Sequence, residues 1–98
     1  MIVRGQKVNV ARIEHIAAMK ILAICNRGYK RDFIDVYAIV RSGLMTIAQI
    51  EQYSMKELAL EQSQIRKALK YFRDADPQPM PPRSRYTWQE VKRYFESL

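Results

Sequence analysis

The chain has 98 residues, 48% of them hydrophobic, and carries 17 Lys and Arg against 10 Asp and Glu, a formal charge of +7. That length suits one small domain with a modest core. No apolar run approaches the roughly 20 residues that cross a bilayer. MIVRGQKVNV, at the N-terminus, lacks a signal-peptide apolar region. A single cysteine, Cys25, excludes an internal disulfide and a cysteine-based metal site. These features lead to the expectation of a cytoplasmic protein. The positive excess sits mainly in residues 1–50, with eight Lys and Arg against three Asp and Glu. Such a surface favours anionic partners such as nucleotides or RNA, and equally serves solubility.

Residues 6–10, QKVNV, alternate polar and apolar and predict a short strand. No second strand is evident, so a lone strand would pair with its copy in a homodimer or with a part of the protein outside this sequence. Residues 12–26 predict a buried helix in which Ile13, Ile16, Ala17, Ala23 and Ile24 recur at helical spacing, with Gly28 placed as its C-cap. A second helix runs from about Lys30 to Arg41 and is ended by Gly43. Three capping-box patterns follow. TIAQ from Thr46 opens a short third helix, and SMKE from Ser54 opens a fourth reaching about Phe72. TWQE from Thr87 opens a fifth. All four prolines fall within Pro77–Pro82, so residues 74–87 should be extended. The fold expected is mainly α: a compact bundle of about five helices with one short N-terminal strand. Residues 1–98 form a single helical domain, with residues 1–10 as its N-terminal arm.

In IAAMKILAIC one charge, Lys20, interrupts the most hydrophobic run in the chain. A lysine there must snorkel, pair with an anion or lose its proton. The second helix, in KRDFIDVY, offers Asp32 and Asp35 on one face. A very short turn around Arg27–Tyr29 makes the two helices an antiparallel hairpin. Counting outward from Gly28, Lys20 is about level with Asp35. Asp32 sits one turn nearer the loop, beside Arg27, Lys30 and Arg31. An ordinary ion pair accounts for this spacing. A site for phosphate or metal is the alternative, with Lys20 as the point charge, the basic cluster as further phosphate contacts, and the carboxylates helping to hold Mg²⁺ or taking a proton. His15 stands alone and makes a poor metal ligand. Tyr71, Phe72, Tyr86, Trp88, Tyr94 and Phe95 are mostly at core spacing, although a base-stacking platform uses the same residue types. Lys67, Lys70 and Arg73 form a basic strip on the fourth helix.

Taken together, IEHIAAMK, KRDFIDVY, YFRDADPQPMP and TWQEVKRYF resemble the C-terminal half of AbiEii-type nucleotidyltransferase toxins, over about residues 8–96. The resemblance implies a polymerase β-like nucleotidyltransferase whose α/β catalytic half precedes a helical half. It implies transfer of a nucleotide from an NTP with Mg²⁺, in some members onto tRNA, and a toxin–antitoxin context. On this resemblance Lys20 handles phosphate or acts in catalysis, and one or both of Asp32 and Asp35 are active-site residues. Two departures stand out. His15 replaces the aspartate that usually opens the D-x-x-A-x-K helix motif. No Gly-Ser turn with a strand-borne D-x-D precedes Ile13, and Asp74-Ala75-Asp76 spells D-x-D only beside prolines. The expectation is therefore a chain not catalytically complete alone, needing no cofactor by itself. It is a fragment, a truncated relative or a free-standing module. Its partners would be an antitoxin, the missing catalytic half or RNA, with no membrane.

Overall fold

The computed structural model describes the backbone at residues 2–3, 6–7 and 10–98, with side chains described from Arg12 onward. Helix α1 spans Val10–Asn26, α2 Lys30–Arg41, α3 Ile47–Leu58, α4 Gln62–Leu69 and α5 Trp88–Glu96. Strands β1 (Ile2–Val3) and β2 (Gln6–Lys7) pair antiparallel, Ile2 opposite Lys7 and Val3 opposite Gln6. The strand expected to stand alone therefore has a partner within the chain, because Ile2–Val3 forms a second strand that is not evident in the sequence pattern. It is also shorter than QKVNV: residues 8 and 9 lie outside the described residues, and Val10 already belongs to α1.

The hairpin of α1 and α2 forms as its turn chemistry dictates. Gly28 takes φ +60°, and the Arg27 and Gly28 amides both donate to the Ala23 carbonyl. This closes α1 with a left-handed residue that glycine adopts without a Cβ penalty. Tyr29 is the N-cap of α2 in extended geometry. α1 packs against α2, α3 and α4, and α2 packs against α5.

The buried line of α1 is Ala17, Ile21 and Ile24, with Ala18 beside it. That line differs from the one expected. Ile16 is 42% exposed and Met19 44%. At 3.6 residues per turn, each sits about 100° or more from the Ala17–Ile21–Ile24 line. Lys20, next to Ile21, consequently lies at the rim of the apolar face rather than within it, with 31% of its side chain exposed.

Phe33, fully buried on α2, is the hub of the core. Its ring meets Phe72, Trp88 and Phe95 with centroids 5.4, 5.8 and 5.5 Å apart. Tilted and edge-to-face pairs of this kind add about 0.5–1.5 kcal/mol each beyond area burial. Tyr37 carries a second group, meeting Tyr86 at 4.9 Å and Tyr94 at 5.3 Å. The suspected stacking platform is thus mostly core; among those six aromatics Tyr71 alone is classed as exposed, at 50%.

The three capping patterns have three fates. Thr46 forms the full box with Gln49, and its flanking Met45 and Ile50 are both buried. Thr87 accepts from the Glu90 amide, but the Glu90 carboxylate accepts from the Tyr37 hydroxyl at 2.7 Å instead of turning back. Ser54 caps nothing. It lies buried inside α3 and donates to the Ile50 carbonyl, a bond open to any mid-helix serine. The expected third and fourth helices are therefore one through Leu58. The break falls at Ala59, which adopts φ 54°, and α4 ends at Leu69 rather than Phe72.

Candidate functional site

Lys20 meets both aspartates across the hairpin. Its Nζ is 2.8 Å from Asp35 Oδ2 and 3.7 Å from Asp32 Oδ1. The pairing with Asp35 follows from the count outward from Gly28. Asp32 is fully buried, whereas Asp35 keeps 49% of its side chain exposed. A fully buried carboxylate needs close partners for its charge, and Asp32 has a strong one. Arg27 donates to it through both Nε (3.0 Å) and a terminal nitrogen (3.2 Å). This two-point fork is the geometry in which Arg binds carboxylates best. It pushes the Arg27 guanidinium further into its charged state, chiefly through the hydrogen bonds to Asp32.

The cluster opens onto a shallow cleft lined by Met19, Lys20, Leu22, Ala23, Arg27 and Asp32, among others. An ammonium has three donors. One of those on Lys20 reaches Asp35 at hydrogen-bond distance, and the 3.7 Å approach to Asp32 is an ion pair only. The half-open lysine therefore retains donor capacity toward the cleft. An anionic oxygen arriving there would compete with Asp35, the exposed member, and not with the buried Asp32.

Magnesium fits these residues poorly. It takes free carboxylate oxygens in near-octahedral geometry. Both oxygens of Asp32 already accept from Arg27, and Asp35 is held by Lys20. Among the described residues no three His, Cys, Asp or Glu side chains gather as a metal site. Asp74-Ala75-Asp76 is not one either. The Asp76 carboxylate accepts from Trp88 Nε1 at 2.8 Å and from Lys92 Nζ at 2.9 Å, which holds it below its usual range.

The basic residues beside Asp32 divide. Arg27 belongs to the cluster. Arg31 is exposed, with its guanidinium 5.8 Å from the Tyr29 ring. Lys30 turns the other way. It is buried, its Nζ donates to the carbonyls of Asp76 and Gln78, and it lies 5.1 Å from the Trp88 ring. Its amide donates to Gln78 Oε1 at 2.7 Å. Lys30 thus braces the proline-rich loop against α2 and is not gathered with Lys20. Tyr29 was not singled out. Its sequence signal is an aromatic between Arg27 and Lys30-Arg31 in a turn where no helical face could bury it.

No helix among the described residues is long and apolar enough to cross a membrane. Residues 2–97 match the family model of the nucleotidyl transferase AbiEii toxin, type IV toxin–antitoxin system. An uncharacterised protein of Aquifex aeolicus (strain VF5) is 33% identical over 88 residues, which cover 89% of this chain and 42% of that protein. The chain thus spans less than half the length of that relative. No solved structure matches.

Proposed function

Since this chain belongs to the AbiEii nucleotidyl transferase toxin family, we propose that its Lys20 cluster is the phosphate-handling part of a nucleotidyl transfer site. The observation that carries this is the half-open Lys20 ammonium, 2.8 Å from an exposed Asp35 and backed by the buried Asp32–Arg27 pair. In this reading a phosphate oxygen of an NTP replaces Asp35 on Lys20. The displaced carboxylate, at the open rim, then accepts the proton of the incoming hydroxyl as its oxygen bonds the α-phosphorus and the bond to the leaving pyrophosphate breaks. Asp32 touches no substrate; it orients Arg27 and Lys20.

These residues do not supply magnesium ligands, so the site needs further carboxylates from outside this chain. Ile16 and Met19, exposed beside Lys20, offer apolar surface on which such a catalytic half would dock. Membership in a toxin–antitoxin family makes an antitoxin the natural counterpart of the chain, whether fragment, truncated relative or free-standing module.

The test has two arms. Triphosphate binding to the 98-residue chain is measured by calorimetry, and Lys20→Ala is expected to weaken it about tenfold or more, the size of one hydrogen bond to a charged group. Labelled NTP, Mg²⁺ and tRNA should give no transfer with this chain alone. Transfer should appear when the matching catalytic half is added. Lys20→Ala binding triphosphate as tightly as the unaltered chain, or robust transfer by the chain alone, overturns the reading.

A further inference from the structure

The Lys20 cluster continues beyond Arg27. The Arg27 guanidinium that holds Asp32 also lies 4.5 Å from the centroid of the Tyr29 ring. Arg31 approaches the same ring at 5.8 Å. Lys20, Asp32, Arg27, Tyr29 and Arg31 therefore form one unbroken run of contacts from the buried carboxylate to the surface. Tyr29 differs from the other aromatics near the hairpin. It is 38% exposed, its hydroxyl forms no cap bond, and it stays outside the Phe33 and Tyr37 ring groups. It also lines a second cleft, of about 480 Å³, whose other walls are Arg31, Gln78 and the Pro79–Pro82 segment.

This cleft has the parts that recognise a nucleotide. An exposed ring offers a π-face that any base can stack upon. The Arg31 guanidinium in the cleft suits phosphate, and the planar Arg27 guanidinium, held by Asp32, stacks on the same ring. Pro79, Met80, Pro81 and Pro82 give the cleft an apolar wall. That wall is held in place: Lys30 ties the Asp76 and Gln78 carbonyls to α2, and the Gln78 side chain accepts from the Lys30 amide. The brace explains why a proline-rich segment can serve as a wall rather than a loose strap.

We propose that the Tyr29 cleft is a nucleobase-stacking subsite, with Arg31 contacting the phosphate attached to the base and Arg27 backing the ring. The shared ligand chemistry is a base carried on phosphate, from a mononucleotide or from an unpaired position in RNA. This rests on the reading of Lys20 as a phosphate-handling residue, because Arg27 joins the two.

The probes are AMP or ATP by calorimetry and a labelled single-stranded decaribonucleotide by fluorescence polarisation, each with the full 98-residue chain. Tyr29→Ala should weaken binding of at least one probe roughly five- to hundredfold, the size of one base–aromatic stack. Tyr29→Phe should keep it, since the ring is retained. Tyr71→Ala removes a comparably exposed tyrosine with no arginine stacked on it and should change little. A loss confined to the mononucleotide assigns the cleft to the NTP base, and one confined to the oligomer assigns it to RNA. Equal binding by Tyr29→Ala and the unaltered chain overturns the proposal, as does an equal loss in Tyr29→Phe or Tyr71→Ala. Running Lys20→Ala in parallel separates the two readings. If it abolishes binding while Tyr29→Ala does nothing, stacking fails and the phosphate role stands. The reverse pattern removes the phosphate role and keeps the stack.

Discussion

At the scale of single residues, the two aspartates facing Lys20 are unequal, and their burial decides how. Asp35 is half in solvent, so its ion pair is screened and contributes at most about 1 kcal/mol. Asp32 has no exposed side-chain surface, and its charge is tolerated because Arg27 grips both its oxygens. Removing Arg27 leaves a buried carboxylate with only a lysine at 3.7 Å, the situation in which broken pairs are most costly. Arg27→Ala should therefore lower the urea unfolding midpoint clearly more than Asp35→Asn, whose shift should be small. Midpoints measured side by side check this, and equal shifts would show that Asp32 is not the buried anchor. Lys20 opposite Asp35 was legible in the sequence because a three-residue turn leaves one way to fold the hairpin, and counting from Gly28 gives the register. The Arg27 fork was not. Arg27 lies in the turn itself, where helical spacing says nothing about direction. The inward turn of Lys30 was hidden for a different reason: its partners lie 46 and 48 residues further along.

Among the elements, the boundaries set by local chemistry were readable and those set by tertiary burial were not. Thr46 and Thr87 stand just before periodic apolar runs and cap them. Ser54 shows the same four-residue pattern, yet its hydroxyl is buried against the Ile50 carbonyl, and the neighbouring Glu51 is 2% exposed and held by Arg66 of α4. The pattern cannot tell a cap from a mid-helix back-bond; the packing of α3 on α4 does. The actual break, at Ala59, carries no sequence sign, because the residue there is not glycine although its φ of 54° is the left-handed value. A Cβ in that conformation costs about 1–2 kcal/mol. Glycine removes that strain and gives back part of the gain through a more flexible unfolded chain. Ala59→Gly should raise stability by roughly 0.5–1 kcal/mol, read as a higher unfolding midpoint with unchanged denaturant slope. A lower midpoint would mean that the α3–α4 corner is not strained.

For the molecule as a whole, one polar strap joins the first hairpin to the last helix. Lys30 of α2 holds the backbone at Asp76 and Gln78, while the Asp76 carboxylate accepts from Trp88 and Lys92 of α5. The loop DADPQPMP thus acts as a clamp that seats Trp88 against Phe33 and Phe72. Its stability has a defined pH dependence. The Trp88 hydrogen bond first, and Lys92 second, hold the Asp76 carboxyl below its ordinary value, which is about 3.9. A group depressed on folding binds its proton less readily in the native state. Its contribution is therefore complete above the ordinary value and is lost as pH falls through the lower folded value. The window opens near pH 4 and extends downward, with no effect at neutrality. Trp88 is the single tryptophan of the chain and donates to the Asp76 carboxylate from α5, so its fluorescence reports the event directly. Between pH 5 and 2 the unaltered protein should show a Trp88 emission step that Asp76→Asn lacks, because an amide has no proton to gain there. Asp76→Asn should also be the less stable of the two at pH 7 and should close that gap as the pH falls. An identical acid step in both proteins would assign it to other carboxylates and leave the clamp without an electrostatic part.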